Sequence, residues 1–288
     1  MNPIVIIGKS GQLAYELARC APGQVVCLGR DDVDITDACN IEKVLDQLQP
    51  AAIINASAYT AVDKAESDAD STYAINEQAV RNLAAYCQLR GLFLVHVSTD
   101  YVFNGLKGAP YTVDDDIAPQ GVYGASKAAG EAVVRALLPE SSCIIRTSWV
   151  YSSHGNNFVK TMLKLMADKP ALSVIDDQVG SPTWARGLAM ACLEAVEENI
   201  TGVFHWSDEG VCSWYDFALA IQELGMQKGL LENAIPVHPI PTRDYPTPAK
   251  RPHYSVLDKT LTRTRFENLP LAHWRKQLSA MLDELATQ

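Results

Sequence analysis

Short apolar runs recur along this chain at residues 3–7, 24–29, 51–56, 92–97 and 143–147, separated by stretches of helical periodicity. Runs that stay apolar without alternating suit strands buried on both faces, as in a parallel sheet. The clearest helix is expected over residues 69–90, where Tyr73, Ile75, Val80, Leu83, Ala84 and Cys87 supply the apolar positions. Strands alternating with helices, joined by right-handed crossovers, predict an α/β fold with a Rossmann-like, doubly wound parallel sheet. Ligands of such sheets sit beyond the carboxyl ends of the strands. Polar clusters fall at those ends, in Ala58-Tyr59-Thr60 and in Ser98-Thr99-Asp100-Tyr101.

The first run feeds Gly8-Lys9-Ser10-Gly11-Gln12-Leu13-Ala14 and a helical continuation through Arg19. Glycines at 8 and 11 let the backbone turn tightly and approach a pyrophosphate, whose charge is stabilised by the free amides and positive end of the helix. Ala14 takes the close-packing position where a third glycine is common. The second run ends in Arg30, where a second strand would meet the adenosine ribose. An acid there would hold the 2′-hydroxyl of NAD, whereas an Arg pairs with the 2′-phosphate of NADP. Arg30 also reads as a solvated cation beside Asp31 and Asp32, so NADPH is favoured and NADH stays open. Asp34, just before Ile35-Thr36-Asp37, is by itself an ordinary helix-capping type.

Tyr123 and Lys127 stand four apart, which on a helix puts them on one face, one turn from each other. A protonated Lys127 would favour the Tyr123 phenolate and bring its pKa toward the neutral range that acid/base work needs. Alone, the spacing is equally that of a Tyr packed on a Lys stem. Thr99, at the end of a strand, adds a hydroxyl able to orient a carbonyl oxygen, though such residues often only bond a local turn. With Asn76, these residues form a set that can polarise a carbonyl, protonate it and relay a proton from solvent.

A net charge of −10 argues against nucleic acid as a partner, which would need a basic face. A single diphosphate needs only a local cationic pocket, and Arg243, Lys250 and Arg251 in a Pro-rich loop can supply one. No signal peptide and no apolar stretch long enough to span a membrane are evident, and the seven Cys are scattered without metal spacing. The expectation is a cytosolic protein with reduced thiols, without membrane partners. The His residues show no ligand spacing either, and no metal site is assigned.

Several longer motifs resemble the extended short-chain dehydrogenase/reductases, and within them the dTDP-4-dehydrorhamnose reductase family. They are Gly8-Lys9-Ser10-Gly11-Gln12-Leu13, the run from Asn55 through Ala58-Tyr59-Thr60 to Glu66, Ser98-Thr99-Asp100-Tyr101-Val102-Phe103 and Val122-Tyr123-Gly124-Ala125-Ser126-Lys127. The narrower ones are Arg146-Thr147-Ser148-Trp149-Val150-Tyr151, Gly155-Asn156-Asn157-Phe158, Asp177-Gln178-Val179-Gly180-Ser181-Pro182-Thr183 and Tyr245-Pro246-Thr247-Pro248-Ala249-Lys250-Arg251-Pro252. The resemblance implies reduction of the C4 keto group of dTDP-6-deoxy-L-lyxo-4-hexulose by NADPH or NADH, giving dTDP-L-rhamnose. It makes Tyr123 the proton donor, Lys127 the ribose anchor that assists it, and Thr99 the residue that orients the keto oxygen. Asp100 and Trp149 would contact the sugar, and Arg251 would join the substrate site. Gly11, Gln12 and Leu13 would line the pyrophosphate, Asp34 and Ile35 the adenine end, and Ala58, Tyr59 and Thr60 the ribose and nicotinamide side. Tyr254 departs from the Asn that the family often carries there. Mg2+ and a homodimer stay open under the same resemblance.

Two lobes are expected: an NADP-binding domain over residues 1–150 plus about 182–208, and a substrate-binding lobe over 151–181 and 209–288. Prolines at 236, 239, 241, 246, 248 and 252 predict an irregular excursion over residues 233–254, and an apolar helix is expected over 271–285. Two other readings share these residues, a reductase or epimerase of a different nucleotide-sugar and a non-catalytic NADP-binding regulatory subunit.

Overall fold

A computed structural model describes residues 2–287. Six parallel strands form one sheet: β1 (Ile4–Ile7), β2 (Val25–Leu28), β3 (Ala52–Asn55), β4 (Phe93–Thr99), β5 (Ser142–Thr147) and β6 (Gly202–His205). Their spatial order is β6-β5-β4-β3-β1-β2, so the direction of winding reverses between β1 and β3. Every residue of β3 and of β5 is buried, which explains why those segments are apolar without alternating. The expected runs match the first five strands to within two residues at each end. The strand β6, Gly-Val-Phe-His, opens on a glycine and ends on a histidine, so only two of its residues are apolar and it does not stand out as a run.

Helices α1 (Gln12–Cys20) and α5 (Ala185–Glu197) cover one face of the sheet. There Leu13, Ala14 and Leu17 meet Ile6, Ile54 and Val95. Ala14 is 1% exposed, so the small side chain at that position lets α1 lie directly on the sheet. Helices α2 (Ala38–Leu48), α3 (Ala79–Arg90) and α4 (Val122–Leu137) cover the other face, with Ile41, Leu45, Leu83 and Val134 packed on Val5, Ile53 and Leu94. The expected helix over 69–90 is three segments in series: an α-turn at Ala69–Tyr73, a wider π-turn at Ala74–Gln78, then α3. Such π-turns insert one extra residue into a helix and are frequent at functional sites.

A second apolar core gathers residues from 151–184 and 212–285, including Tyr151, Met162, Trp184, Phe217, Leu224, Trp274 and Met281. Helices Phe158–Asp168, Trp214–Gln227 and Trp274–Ala286 supply most of it, the last matching the expected C-terminal helix. The Pro-rich stretch is more regular than the prolines suggest. Its residues Val237–Ile240 form a strand parallel to Leu172–Ile175, with Pro239 tolerated in an isolated two-stranded ribbon. Phe266, further along, packs into the sheet-side cluster with Phe204 and Trp206. Tyr254 packs against the small cluster of Val102, Phe103, Tyr111 and Leu257.

Between α4 and β5, Arg146 meets Glu131 through two hydrogen bonds of 2.9 and 2.7 Å, with the side chains 1% and 0% exposed. This bidentate pair fixes the rotation of α4 over the sheet. Among the described residues no helix is long and apolar enough to cross a membrane, and all seven cysteines are free thiols.

Candidate active site

A cleft of about 470 Å3 opens over the carboxyl ends of β1, β3, β4 and β5, beside the point where the strand order reverses. Ser10, Gly11, Gln12 and Leu13 form one wall, and Ala56, Ser57, Ala58 and Thr60 form the next. Val97 through Tyr101 make the floor, Tyr123 and Lys127 come from α4, and Thr147 through Val150 with Gly155 and Asn156 close the far side.

The glycine turn works differently at its two glycines. Gly11 is the N-cap of α1, and its N–H donates to the Gly8 carbonyl at 2.9 Å, leaving the first amides of α1 at the cleft wall. Gly8 has φ +117°, and a Cβ there would lie 3.0 Å from the Ala56 carbonyl carbon and oxygen and the Ser57 nitrogen. Its missing side chain therefore makes room for the chain after β3 rather than for a ligand. That neighbouring chain is itself held: Asn55 accepts from the Ser57 N–H and hydroxyl and meets His96 at 3.2 Å, where burial holds the imidazole neutral, well below its ordinary range. The α1 amides, the glycine that lets the turn close, and a fixed opposite wall fit a dinucleotide pyrophosphate.

Tyr123 sits in the first turn of α4, whose start is capped from a distance by Glu66, accepting from the Val122 N–H at 2.9 Å. Glycines bring α4 against its neighbours. A Cβ at Gly124 would stand 2.2 Å from the Tyr101 carbonyl oxygen, and one at Gly130 would stand 2.3 Å from that of Asn76. One turn on from Tyr123, the Lys127 ammonium donates to the Val97 carbonyl at 2.7 Å. Burial lowers the Lys127 pKa to about 8, with Glu131 opposing. Burial likewise pushes Tyr123 up to about 12, the Thr99 hydroxyl opposing and the Asp100 carboxylate adding to the rise. The expectation that Lys127 draws Tyr123 toward neutrality is thus not met, because the Val97 carbonyl holds the ammonium and desolvation governs the phenol. Tyr123 is a neutral O–H donor at ordinary pH.

Thr99 donates to Asp100 Oδ1 at 3.0 Å and accepts from the Tyr101 N–H at 3.2 Å, so its hydroxyl is locally bonded as well as exposed to the cleft. Asp100 is pushed up to about 6 by burial, opposed by the neighbouring Ser255 and Thr99 hydroxyls. Its Oδ2 and the Ser98 hydroxyl are buried without a partner. Buried polar atoms of this kind cost free energy unless a ligand satisfies them. Asn76, inside the π-turn, accepts from the Tyr59 N–H at 2.8 Å and donates to the Tyr59 carbonyl at 3.2 Å and the Ser126 hydroxyl at 3.0 Å. Both amide hydrogens are used, so the side chain clamps the loop after β3 to α4 and has no hydrogen left to relay.

Of the residues singled out from the sequence, Gly11, Gln12, Leu13, Ala58, Thr60, Thr99, Asp100, Tyr123, Lys127 and Trp149 converge on the cleft. Gly8, Arg30, Asp34, Ile35, Tyr59 and Arg251 are not part of its wall. Arg30 is exposed just past β2, and Ile35 is buried among α2 and α3. Asp34 is exposed and bonds Thr36, which holds its carboxyl below the usual range. The Tyr59 hydroxyl donates to Asp68 instead, at 2.9 Å. Arg251 pairs with Asp63 through bonds of 3.0 and 2.7 Å and lines a separate, more apolar pocket with Phe158, Trp214 and Tyr245. Asp63 and Glu66, one inside the short helix Val62–Ala65 and the other at its C-cap, were given no role in the sequence reading. Trp214 was given none either, its partner Trp149 lying too far away in sequence for any local signal. Trp149 itself adopts φ +49°, a backbone conformation that costs a bulky residue about 1–3 kcal/mol. Among the described residues no group of His, Cys, Asp and Glu side chains is gathered as a metal site requires.

A doubly wound sheet, a glycine turn opening α1 and a Thr-Tyr-Lys set at the strand ends together define a dinucleotide-dependent reductase of the short-chain dehydrogenase/reductase class. A family model described as the RmlD substrate binding domain matches residues 1–287. The dTDP-4-dehydrorhamnose reductase of Aggregatibacter actinomycetemcomitans is 40% identical, over 96% of this chain and 97% of its own. The crystal structure of a dTDP-4-dehydrorhamnose reductase from Clostridium acetobutylicum superimposes with a TM-score of 0.92 at 39% identity, covering 98% of this chain and 99% of that one. One from Bacillus anthracis in complex with NADP gives 0.91 at 34% identity, covering 98% and 99%. The chain belongs to the dTDP-4-dehydrorhamnose reductase family.

Proposed function

We propose that this protein reduces the C4 keto group of dTDP-6-deoxy-L-lyxo-4-hexulose with NADPH, giving dTDP-L-rhamnose. The observation that carries the reading is the convergence of Thr99, Tyr123 and Lys127 on a cleft whose other wall is the amide-rich start of α1. When bound, the dinucleotide supplies the hydride that adds to the carbonyl carbon. The residues of the chain do the rest. The amides of Gln12 and Leu13 hold the pyrophosphate, with Gly11 lining it through its bare Cα, Arg30 reaches the 2′-phosphate, and Asp34 with Ile35 borders the adenine end. Ala58, Tyr59 and Thr60 border the ribose and nicotinamide through a loop that Asn76 clamps. Lys127 spends one hydrogen on the Val97 carbonyl and has two more for the ribose hydroxyls.

At the reacting carbonyl, Thr99 orients the oxygen and Tyr123 gives it the phenolic proton, so the keto group becomes a hydroxyl. The phenolate left on Tyr123 regains its proton from solvent. Asp100, with an unpartnered Oδ2, accepts from a sugar hydroxyl, and the Trp149 indole forms the apolar wall of the hexose. Arg251, in its pair with Asp63, offers guanidinium N–H groups to the diphosphate side.

The test is oxidation of NADPH and of NADH with enzymatically generated dTDP-6-deoxy-L-lyxo-4-hexulose, the product identified by NMR. Formation of dTDP-L-rhamnose, faster with NADPH, is the expected result. Cofactor binding without turnover of this sugar would reject the substrate assignment in favour of a different nucleotide-sugar or a regulatory role.

A further inference from the structure

The Trp149 indole, read above as the hexose wall, is held by residues to which no role has been given. Its backbone lies in the left-handed region at φ +49°, fixed by the Thr183 N–H donating to the Trp149 carbonyl at 3.2 Å and the Ser148 hydroxyl donating to the Ser181 carbonyl at 2.8 Å. One face of the ring is covered by Trp214, with centroids 3.6 Å apart and planes 11° from parallel. Behind Trp214 stands Phe158 at 4.6 Å. Trp214 is the first residue of its helix, and its backbone is pinned by a reciprocal cap in which Ser213 and Asp216 bond each other's amides at 3.0 and 2.9 Å. On another side, a Cβ at Gly180 would stand 2.7 Å from Trp149 Cε2 and 2.8 Å from Cζ2.

The geometry points to Trp214 and Gly180 as positioning residues that set the plane and depth of the Trp149 indole, and so fix how the keto-hexose presents C4 to Tyr123. Trp214 is absent from the cleft wall and lines the neighbouring pocket with Arg251, so the double variant is what separates a route through Trp149 from direct contact with the substrate. An aromatic buttress is suited to this because stacked rings resist tilting, and the rigid cap behind Trp214 keeps it from following the indole if a ligand pushes on it. Gly180 does the complementary task by leaving the space that the ring edge occupies. The inference rests on the reading that Trp149 faces the sugar, and the experiment separates the two.

Trp149→Ala, Trp214→Ala, Trp214→Phe, Gly180→Ala and the double variant Trp149→Ala/Trp214→Ala are compared with the wild type. The readouts are KM and kcat for the sugar nucleotide and Kd for NADPH by its fluorescence. Trp214→Ala is expected to raise KM for the sugar about tenfold, equivalent to ~1.4 kcal/mol, with NADPH affinity unchanged. Trp214→Phe recovers most of the loss, and Gly180→Ala raises KM in the same direction. In the Trp149→Ala background, removing Trp214 adds nothing further to KM. A KM unchanged in Trp214→Ala while Trp149→Ala is impaired would overturn the positioning role and leave the sugar-wall reading intact. Unchanged KM in Trp149→Ala would overturn both. Additive losses in the double variant would show that Trp214 acts by another route, which also rejects the proposal. If Trp214→Ala does not fold, Trp214→Phe and Gly180→Ala decide it, because full wild-type KM in Gly180→Ala contradicts the close contact.

Discussion

At the scale of single residues, the site is a group of polar atoms whose protonation is set by burial more than by their partners. Tyr123 is pushed up to about 12 and Asp100 to about 6, each chiefly through desolvation. Tyr123→Phe keeps the ring and loses only the transferable proton, so kcat should fall by about 10²–10⁴ while NADPH affinity holds. Near-normal turnover in that variant would remove Tyr123 from the chemistry. Asp100 accepts from the sugar more strongly when ionised, so kcat/KM for the sugar should fall as pH drops through about 6, and Asp100→Asn should flatten that limb. The same group acts on stability with the opposite sense. Its folded pKa lies above the ordinary value of 3.8, so its contribution is complete below 3.8 and is lost as pH rises through about 6. Thermal unfolding of the wild type and Asp100→Asn across that window checks the sign. The chemistry-bearing residues were legible because Thr99, Asp100, Tyr123 and Lys127 lie in contiguous motifs. The state of Tyr123 was not, since a partner four residues along says nothing of the Val97 carbonyl that engages Lys127.

At the scale of elements, α4 is the part that carries the chemistry, and its position depends on close backbone approach. Gly130 lets it meet the π-turn at Asn76, and Gly124 lets it meet the chain at Tyr101. Gly130→Ala should force the two helices apart. We expect a loss of about 1–3 kcal/mol in stability by denaturant unfolding, with a fall in kcat as Tyr123 and Asn76 lose register. Unaltered stability would mean that the helices have slack that the 2.3 Å approach does not suggest. The first five strands were readable from apolar runs alone, because burial on both faces removes the alternation that would otherwise blur them. The π-turn was not readable. Its residues Ala74–Gln78 fit an ordinary helix locally, and the wider winding is set by what Asn76 must reach on α4 and after β3. The strand at Val237–Ile240 was hidden for the opposite reason, since Pro239 signals irregularity while the parallel partner Leu172–Ile175 is remote in sequence.

At the scale of the whole molecule, the cleft depends on contacts between α1 and the chain beyond β5. Glu16, 0% exposed, accepts from the Ser152 hydroxyl at 2.6 Å and from Arg19 at 3.2 Å, and Arg19 continues to Glu284 near the C-terminus at 2.7 Å. Glu16→Ala leaves the buried Ser152 hydroxyl without this partner. The expected cost is about 1–3 kcal/mol in unfolding free energy, and an unchanged denaturation midpoint would refute it. The sequence could not disclose this tie, because Ser152 and Glu284 lie more than a hundred residues from Glu16 and Arg19 and none of the four belongs to a recognisable motif. Gln12 makes a second such tie. Its backbone opens α1 at the cofactor wall, while its side chain accepts from Asn157 at 2.9 Å and donates to the Val150 carbonyl at 3.5 Å, next to Trp149. The cofactor wall and the sugar wall are therefore joined by one side chain. Whatever factor NADPH binding applies to the affinity for the sugar, the sugar must apply to the affinity for NADPH, since the two routes around a closed binding cycle have equal free energy.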